Sequence, residues 1–313
     1  MRQPSRIAVI AMLLAVEVLI VGAVLAILRG GSWHTALAGD IHESSFVARP
    51  VAPIAAGLAP RVQIDDPESG VAVTTSSDGM IHVKDDTSFS GWRFGGRTQI
   101  PQLQVTRTLD GVHIERADYS ANGISMSMRQ HIEVQVPPGA HVAIGHCESA
   151  EVTGVQSGVD VVSQDGHIGL HDLRGNVNAQ SDDGHISADD LNGNAIALST
   201  KDGHIDASGI TLSGASPRAT IHTNDGSMKV SGLFPAGGTY DVSTNDGRIT
   251  LALASGSDAA IDASTSDGSI EVDGATYHGD DAASRSIRVG GGSSPMRVHT
   301  GDGSIHITTN GAR

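Results

Sequence analysis

The chain has 313 residues with 20 Lys plus Arg against 35 Asp plus Glu, a formal charge of −15. Only three lysines (Lys84, Lys201, Lys229) stand among scattered arginines, so there is no clustered cationic footprint to neutralise phosphates, which excludes nucleic acid as a partner. Gly numbers 39 while Phe, Trp and Tyr number four, two and three, so any core is built from aliphatic and small polar side chains, unlike an ordinary aromatic-rich globular fold.

Ile7 to Leu28 is a run of 22 residues broken only by Glu17 and Gly22. At ~1.5 Å per residue it can cross a ~30 Å hydrocarbon core, and the sequence predicts one transmembrane helix within an anchor segment 1–35. Arg2 and Arg6 precede it, which by the positive-inside bias puts the N-terminus in the cytoplasm and the bulk of the chain outside. A secreted alternative stays open, because Ala36-Leu37-Ala38 before Gly39 fits a signal-peptide cleavage site, although the apolar run exceeds the ~7–15 residues of a usual signal. Glu17 reads either as a tolerated carboxyl or as a contact with a partner's helix.

Residues 36–70 hold Pro50, Pro53, Pro60 and Pro67 with no sustained period and are expected to form a linker. From Val71 short alternating runs begin, such as Ile132, Val134 and Val136 before Pro137-Pro138-Gly139. A period of two predicts strands, and residues 71–150 are read as divergent lead-in strands that cap the N-terminal end of the regular segment beyond residue 150. They include Trp92, the one prominent candidate for stacking on a sugar, or else a loop residue covering the end. They also include the lone Cys147 beside His146. An adjacent imidazole can lower a thiol pKa, but neighbours on a strand point to opposite faces, so Cys147 is expected to pack as a small hydrophobe.

From residue 155 the chain repeats itself, with Asp-Gly at Asp165-Gly166, Asp183-Gly184, Asp202-Gly203, Asp225-Gly226, Asp246-Gly247, Asp267-Gly268 and Asp302-Gly303. Six residues before each Asp stand Val159, Val177, Ile196, Ala219, Tyr240, Ile261 and Met296; four before stand Val161, Ala179, Leu198, Ile221, Val242, Ala263 and Val298. Two before is always a hydroxyl: Ser163, Ser181, Thr200, Thr223, Thr244, Thr265, Thr300. Three and five after, the columns are again apolar, as in Ile168 with Leu170 and Ile305 with Ile307. Each unit reads strand, Asp-Gly corner, strand, the glycine expected to take φ > 0 and the Asp to bond nearby backbone N–H groups. Stacked ~4.8 Å apart, the columns become buried ladders, including an internal Ser/Thr ladder. That is the signature of a β-solenoid with rungs of about 20 residues. Antiparallel hairpins with Asp-Gly turns are the rival reading; the near-constant repeat favours the solenoid. The final interval, Asp267 to Asp302, is expected to hold a degenerate rung around Ser286 to Val289 or an exposed loop.

With these residues in view, the lead-in IEVQVPPGAHVAI, the repeats through STKDGHI and the closing MRVHTGDGSIHI, the chain resembles the bacterial putative-adhesin family of membrane-tethered β-solenoid domains without an agreed function. The resemblance implies an all-β, right-handed, single-stranded β-solenoid on the outer side of the cytoplasmic membrane. It supplies no catalytic residues.

Three successive units read DGHI, which would stack His167, His185 and His204 beside the Asp corners as weak candidate metal ligands. Later copies put Ser227, Arg248, Ser269 and Ser304 in the His column, and a flat stack does not offer tetrahedral geometry, so no metal or cofactor is expected. Carboxylates at every corner could suggest polysaccharide cleavage, which needs convergent acids and a basic cradle. No such cradle appears, nor does a nucleophile-elbow, zincin or P-loop pattern. The reading is thus a non-catalytic, membrane-anchored scaffold or interaction module of the envelope (anchor 1–35, linker 36–70, lead-in 71–150, repeat 151–313). It has an envelope protein partner of unknown identity and no small-molecule substrate. The alternatives are a surface adhesin for polysaccharide or another cell, and a polysaccharide-acting enzyme. The 15 His equal the formal excess of negative charge, and the pI is about 5.3, so a solubility minimum is expected on the acid side of neutrality. A turbidity scan from about pH 4 to 8 without an acid maximum would count against it.

Overall fold

The computed structural model describes residues 41–43, 46–47, 51–57, 59–94, 102–116, 124–278 and 283–309. The apolar run 7–28, Glu17 and the site at Ala38 lie outside them. Among the described residues no helix is long and apolar enough to cross a membrane, and every regular element is a strand.

The described residues fall into two units. In the smaller, Ile41–Glu43 runs antiparallel to Trp92–Phe94, and Ile124–Arg129 pairs with the same Ser88–Phe94 strand. Trp92 therefore stands in a strand and not in a loop; its side chain lies outside the described residues.

The larger unit is a stack of parallel layers, of which the seven Asp-Gly layers are each two short strands joined at a corner. Counted along the stack, layer one is Gly111–Glu115 with His131–Val136, and layers two and three are the long strands Arg61–Thr75 and His141–Thr153. Layer four is Val159–Ser163 with Ile168–Arg174, five Val177–Ser181 with Ile186–Gly193, and six Ala195–Thr200 with Ile205–Leu212. Layer seven is Arg218–Asp225 with Met228–Leu233, and eight Thr239–Asp246 with Ile249–Leu253. Layer nine is Pro295–Asp302 with Ile305–Thr308, and ten Ala259–Asp267 with Ser269–Val272. Val177 pairs with Ile196, Ile196 with Ala219 and Ala219 with Tyr240, so equivalent repeat positions lie over one another. The parallel ladder decides against stacked hairpins.

Alternation produces this. In Ala195–Thr200 every second side chain is buried, and the apolar columns flanking each Asp-Gly fill the space between the two strand walls, with only Val272 half-exposed. A further buried column, Leu173, Leu191 and Ile210, follows a second bend where Asp172, Asp190 and Gly209 take φ of 49°, 54° and 67°.

At both ends, chain order and stack order part. Arg61–Thr75 is the first rung of the chain yet lies between layers one and three, which come later in sequence. Layer nine, the last rung, likewise lies between layers eight and ten. This corrects one expectation. The linker ends by Arg61, because its final ten residues belong to the long strand Arg61–Thr75. At the other end, the last rung of the chain is enclosed on both sides. Each outer layer is finished by antiparallel strands: Gln104–Arg107 and Met80–Asp85 on layer one, Ala283–Val289 and Ala275–His278 on layer ten. The long interval after Asp267 thus holds two return strands rather than a degenerate parallel rung or a free loop. The turn between Ser269–Val272 and Ala275–His278 is Asp273-Gly274 with φ of 47° and 85°, the one Asp-Gly of layer ten that does make a hairpin.

The hydroxyl column is buried, and its members reach the corner carbonyls of an adjacent layer. Thr200 Oγ1 donates toward Gly184 O at 3.0 Å, Thr223 Oγ1 toward Gly203 O at 3.0 Å and Thr300 Oγ1 toward Gly247 O at 3.0 Å. Toward layer one the same column continues from Ser163 to Cys147 and Asp66, and then to Arg116, the residue after the Asp65–Glu115 pair. There Arg116 Nε donates to Asp66 at 2.8 Å and its Nη2 to Asp85 at 2.8 Å and Thr87 at 3.0 Å, all essentially buried. Burial pulls the guanidinium pKa down, but the bonds to Asp85 and Asp66 outweigh it and raise it. In chemical denaturation Thr223→Val should cost about 1 kcal/mol for one lost bond, and Arg116→Met about 3–5 kcal/mol by stranding two buried carboxylates; equal costs would contradict this account.

Candidate functional site at the Asp-Gly corners

The most repetitive exposed chemistry lies where each layer turns. A methyl built on Gly184, Gly203, Gly226 or Gly247 would come within 1.9–2.1 Å of the corner carbonyl oxygen of the layer beneath. Gly166, Gly184, Gly203 and Gly226 have no positive φ. Close approach between layers is thus the demand common to the corners, and the expected positive φ adds to it only at Gly247, Gly268 and Gly303, at 150–154°.

With the glycine pressed inward, the preceding Asp is turned outward. Asp165, Asp183, Asp202, Asp225, Asp246, Asp302 and Asp267 are all exposed. Asp225 pairs with Asp246, Asp246 with Asp302 and Asp302 with Asp267 in the ladder register, so carboxylates recur at one layer spacing. None of the seven bonds a backbone N–H among the described residues, unlike Asp78, whose Oδ1 accepts from Met80 N–H at 3.0 Å. That bond, ahead of the contact with His82, lowers the Asp78 pKa. Lys201 pairs with Asp182 at 2.7 Å, beside the Asp183 and Asp202 corners.

Beside the Asp column, the rings of His167 and His185 stack with centroids 5.2 Å apart, and those of His185 and His204 tilt at 4.7 Å. His167 Nδ1 lies 3.1 Å from His185 O and His185 Nδ1 2.9 Å from His204 O. A carbonyl only accepts, so each of these nitrogens carries the proton and Nε2 keeps its lone pair in the neutral ring. Burial first, then the neighbouring imidazoles, lowers the His185 pKa. Among the described residues no group of three His, Cys, Asp or Glu is placed to hold a metal ion. Other imidazoles bridge adjacent layers to carboxylates: His113 to Asp65 at 3.0 Å, His171 to Glu151 at 2.8 Å and His306 to Glu271 at 3.2 Å.

Cys147 is buried, its thiol pushed up to about 11, by burial above all. Its Sγ donates to Val162 O at 3.6 Å, so the thiol is held as a packing group. Sequence reading missed the Arg116, Asp66 and Asp85 cluster, because the early layers lack the Asp-Gly marker that aligns the others. Chemically, a single-file carboxylate column on a convex corner can attract cationic or polar surfaces through its summed field. It does not set two acids across a cleft as glycoside hydrolysis requires.

The family model described as Toastrack DUF4097 matches residues 62–308. Among solved structures, the chain is similar to a putative adhesin from Bacteroides fragilis NCTC 9343 at 11% identity, covering 86% of this chain and 98% of that one with a TM-score of 0.39. It is similar to a putative cell adhesion protein from Clostridium sporogenes ATCC 15579 at 10% identity, covering 86% and 99% with a TM-score of 0.22. A putative adhesin from Parabacteroides merdae ATCC 43184 is 8% identical, with 86% and 96% covered and a TM-score of 0.33. No curated protein matches the chain.

Because the His185 pKa is lower folded than its ordinary 6.5, the unfolded chain binds more protons just below that pH. The stability contributed by neutral His185 is present above it and lost as pH falls toward the folded value. Thermal unfolding of His185→Gln should therefore depend less on pH than the parent in that range; parallel profiles would refute the assignment.

Proposed function

The chain belongs to the Toastrack DUF4097 family, the putative-adhesin group its repeat resembles, and from that premise we propose that it is a non-catalytic interaction module of the cell envelope. In this reading a right-handed solenoid is tethered through residues 7–28 with its N-terminus inside, and presents its corner columns to an envelope protein partner. The observation that carries the proposal is the series of exposed corner carboxylates, in register from Asp225 through Asp246 and Asp302 to Asp267 and preceded by those of Asp165, Asp183 and Asp202. A surface that repeats from layer four to layer ten suits an extended or multivalent partner, since many weak contacts at one spacing add along its length. The interior supports the same reading, because the columns between the walls are filled by side chains.

In-cell cross-linking and recovery would compare the full-length chain with a secreted version beginning at Gly39 and with a full-length variant carrying Asp225→Asn, Asp246→Asn and Asp302→Asn. A discrete membrane protein is expected from the full chain, lost without the anchor and reduced several-fold, in a salt-dependent way, by the three substitutions. Glycan, or the same extracellular partner from both lengths, would instead transfer the reading to adhesion by the solenoid itself.

A further inference from the structure

The out-of-order layer nine carries an inference about assembly. Through the middle of the stack each rung follows directly onto the last, through short links such as Gly175-Asn176 or Ser213–Pro217. Between layers eight and nine there is no such link. From Leu253 the chain passes through Ala254–Asp258 into layer ten, two layer spacings or about 10 Å away, and fills the gap only with its last rung.

The strands within residues 259–278 and 283–308 pair with one another as a set. Layer ten carries layer nine on one side and the two return strands on the other. Aspartates flanking layer ten pin layer nine at both ends. Asp258 accepts from the Gly291 N–H at 2.9 Å and from the N–H and hydroxyl of Ser293. Asp273 accepts from the Thr309 N–H at 2.7 Å and from its hydroxyl.

Toward the remainder of the stack, this set bonds through layer nine and the loop that feeds it. Tyr240–Thr244 ladders with Met296–Thr300, and Ile249–Ala252 with Ile305–Thr308. Thr300 reaches Gly247 O, Arg248 Nε donates to Ser304 at 3.2 Å, and Ser294 joins Pro235 O to the Gly238 N–H. These are the contacts that any layer makes with the one beneath, so the edge of layer eight fits residues 259–308 of another copy as well as its own. The covalent link is short and bent, with Gly256 at φ 91° and the Ser257 N–H bonded to Ala254 O at 3.1 Å; extended, five residues reach about 16 Å.

We propose that residues 259–308 are an exchangeable closing module, and that in a dimer the edge of layer eight is occupied by the module of a second copy, through opening of Ala254–Asp258. Exchange of an identical element costs little in contacts, since each bond broken within one chain is remade between two.

The test uses the full chain carrying Ser243→Cys and His299→Cys, which oppose one another across layers eight and nine on the outer face, with the native Cys147 buried. The protein is refolded at low and at high concentration, oxidised, and run on a denaturing gel without reductant. Dimer formed at high concentration should stay covalently joined, while monomer carries an internal bond. Deleting Ser255 and Gly256 should make dimer the major species, and inserting about six Gly/Ser residues there should restore monomer. Monomer at every concentration, or a dimer that falls to monomer on the gel, overturns the proposal, and that readout does not depend on the hinge variants folding.

Discussion

Each of the Asp-Gly layers rests on its neighbour through a corner contact with no slack: a buried hydroxyl from one side, a glycine from the other, both against the same carbonyls. Thr223 Oγ1 bonds Gly203 O at 3.0 Å, and Gly226 has no room for a methyl above that same oxygen. Ladder hydrogen bonds alone allow a strand to slip by two residues without changing which face is buried. The corner does not, because a slip would put a side chain where only glycine fits and leave the hydroxyl without its acceptor. The columns, the packed interior and the regular file of exposed carboxylates all depend on that registration.

Much of this was legible because the corner imposes its demand at every turn. Asp-Gly, the hydroxyl two positions before and the aliphatic residues on either side recur together, and their alignment is the stacking register. The reason for the glycine was not legible, since crowding by a neighbouring layer is a tertiary effect and φ > 0 is a local one. Asp273-Gly274 has the same letters as the corners, yet turns a hairpin. The early layers were opaque for a related reason. Asp66 and Cys147 occupy the hydroxyl column without the Asp-Gly that marks it elsewhere, so their kinship with Ser163 emerges only from the pairing register. Order among the repeat layers could not be read from periodicity, because layers four to ten carry the same columns at the same positions.

The interior polar column changes character along its length. Neutral hydroxyls, each content with a carbonyl, give way at layer two to a carboxylate and at layer one to a guanidinium. An aspartate inside the stack requires a cation, and Arg116 supplies it while also gathering Asp85 and Thr87 from the strand that finishes the end. The ionic cluster thus ties the last parallel layer to its antiparallel cover, where a hydroxyl would have had no further layer to bond. On the outside the division is complementary: imidazoles pair with carboxylates between layers on the sheet faces, whereas the corner carboxylates are left to solvent and to whatever approaches.

The placement of Arg61–Thr75 between layers one and three has a mechanical meaning. A pull on the chain ahead of Arg61 meets the short pairings of Ile41–Glu43, Phe46–Val47 and Ile54–Ala55, and then runs along a strand bonded to parallel neighbours on both flanks. Bonds lying across the direction of load must give way together, whereas a strand at the rim of a stack could be peeled from its neighbour one bond at a time. A tether attached at this point would engage the cover through the Ile54–Ala55 pairing with Met80–Ile81 and then load the stack along a strand held on both flanks, not along a rim.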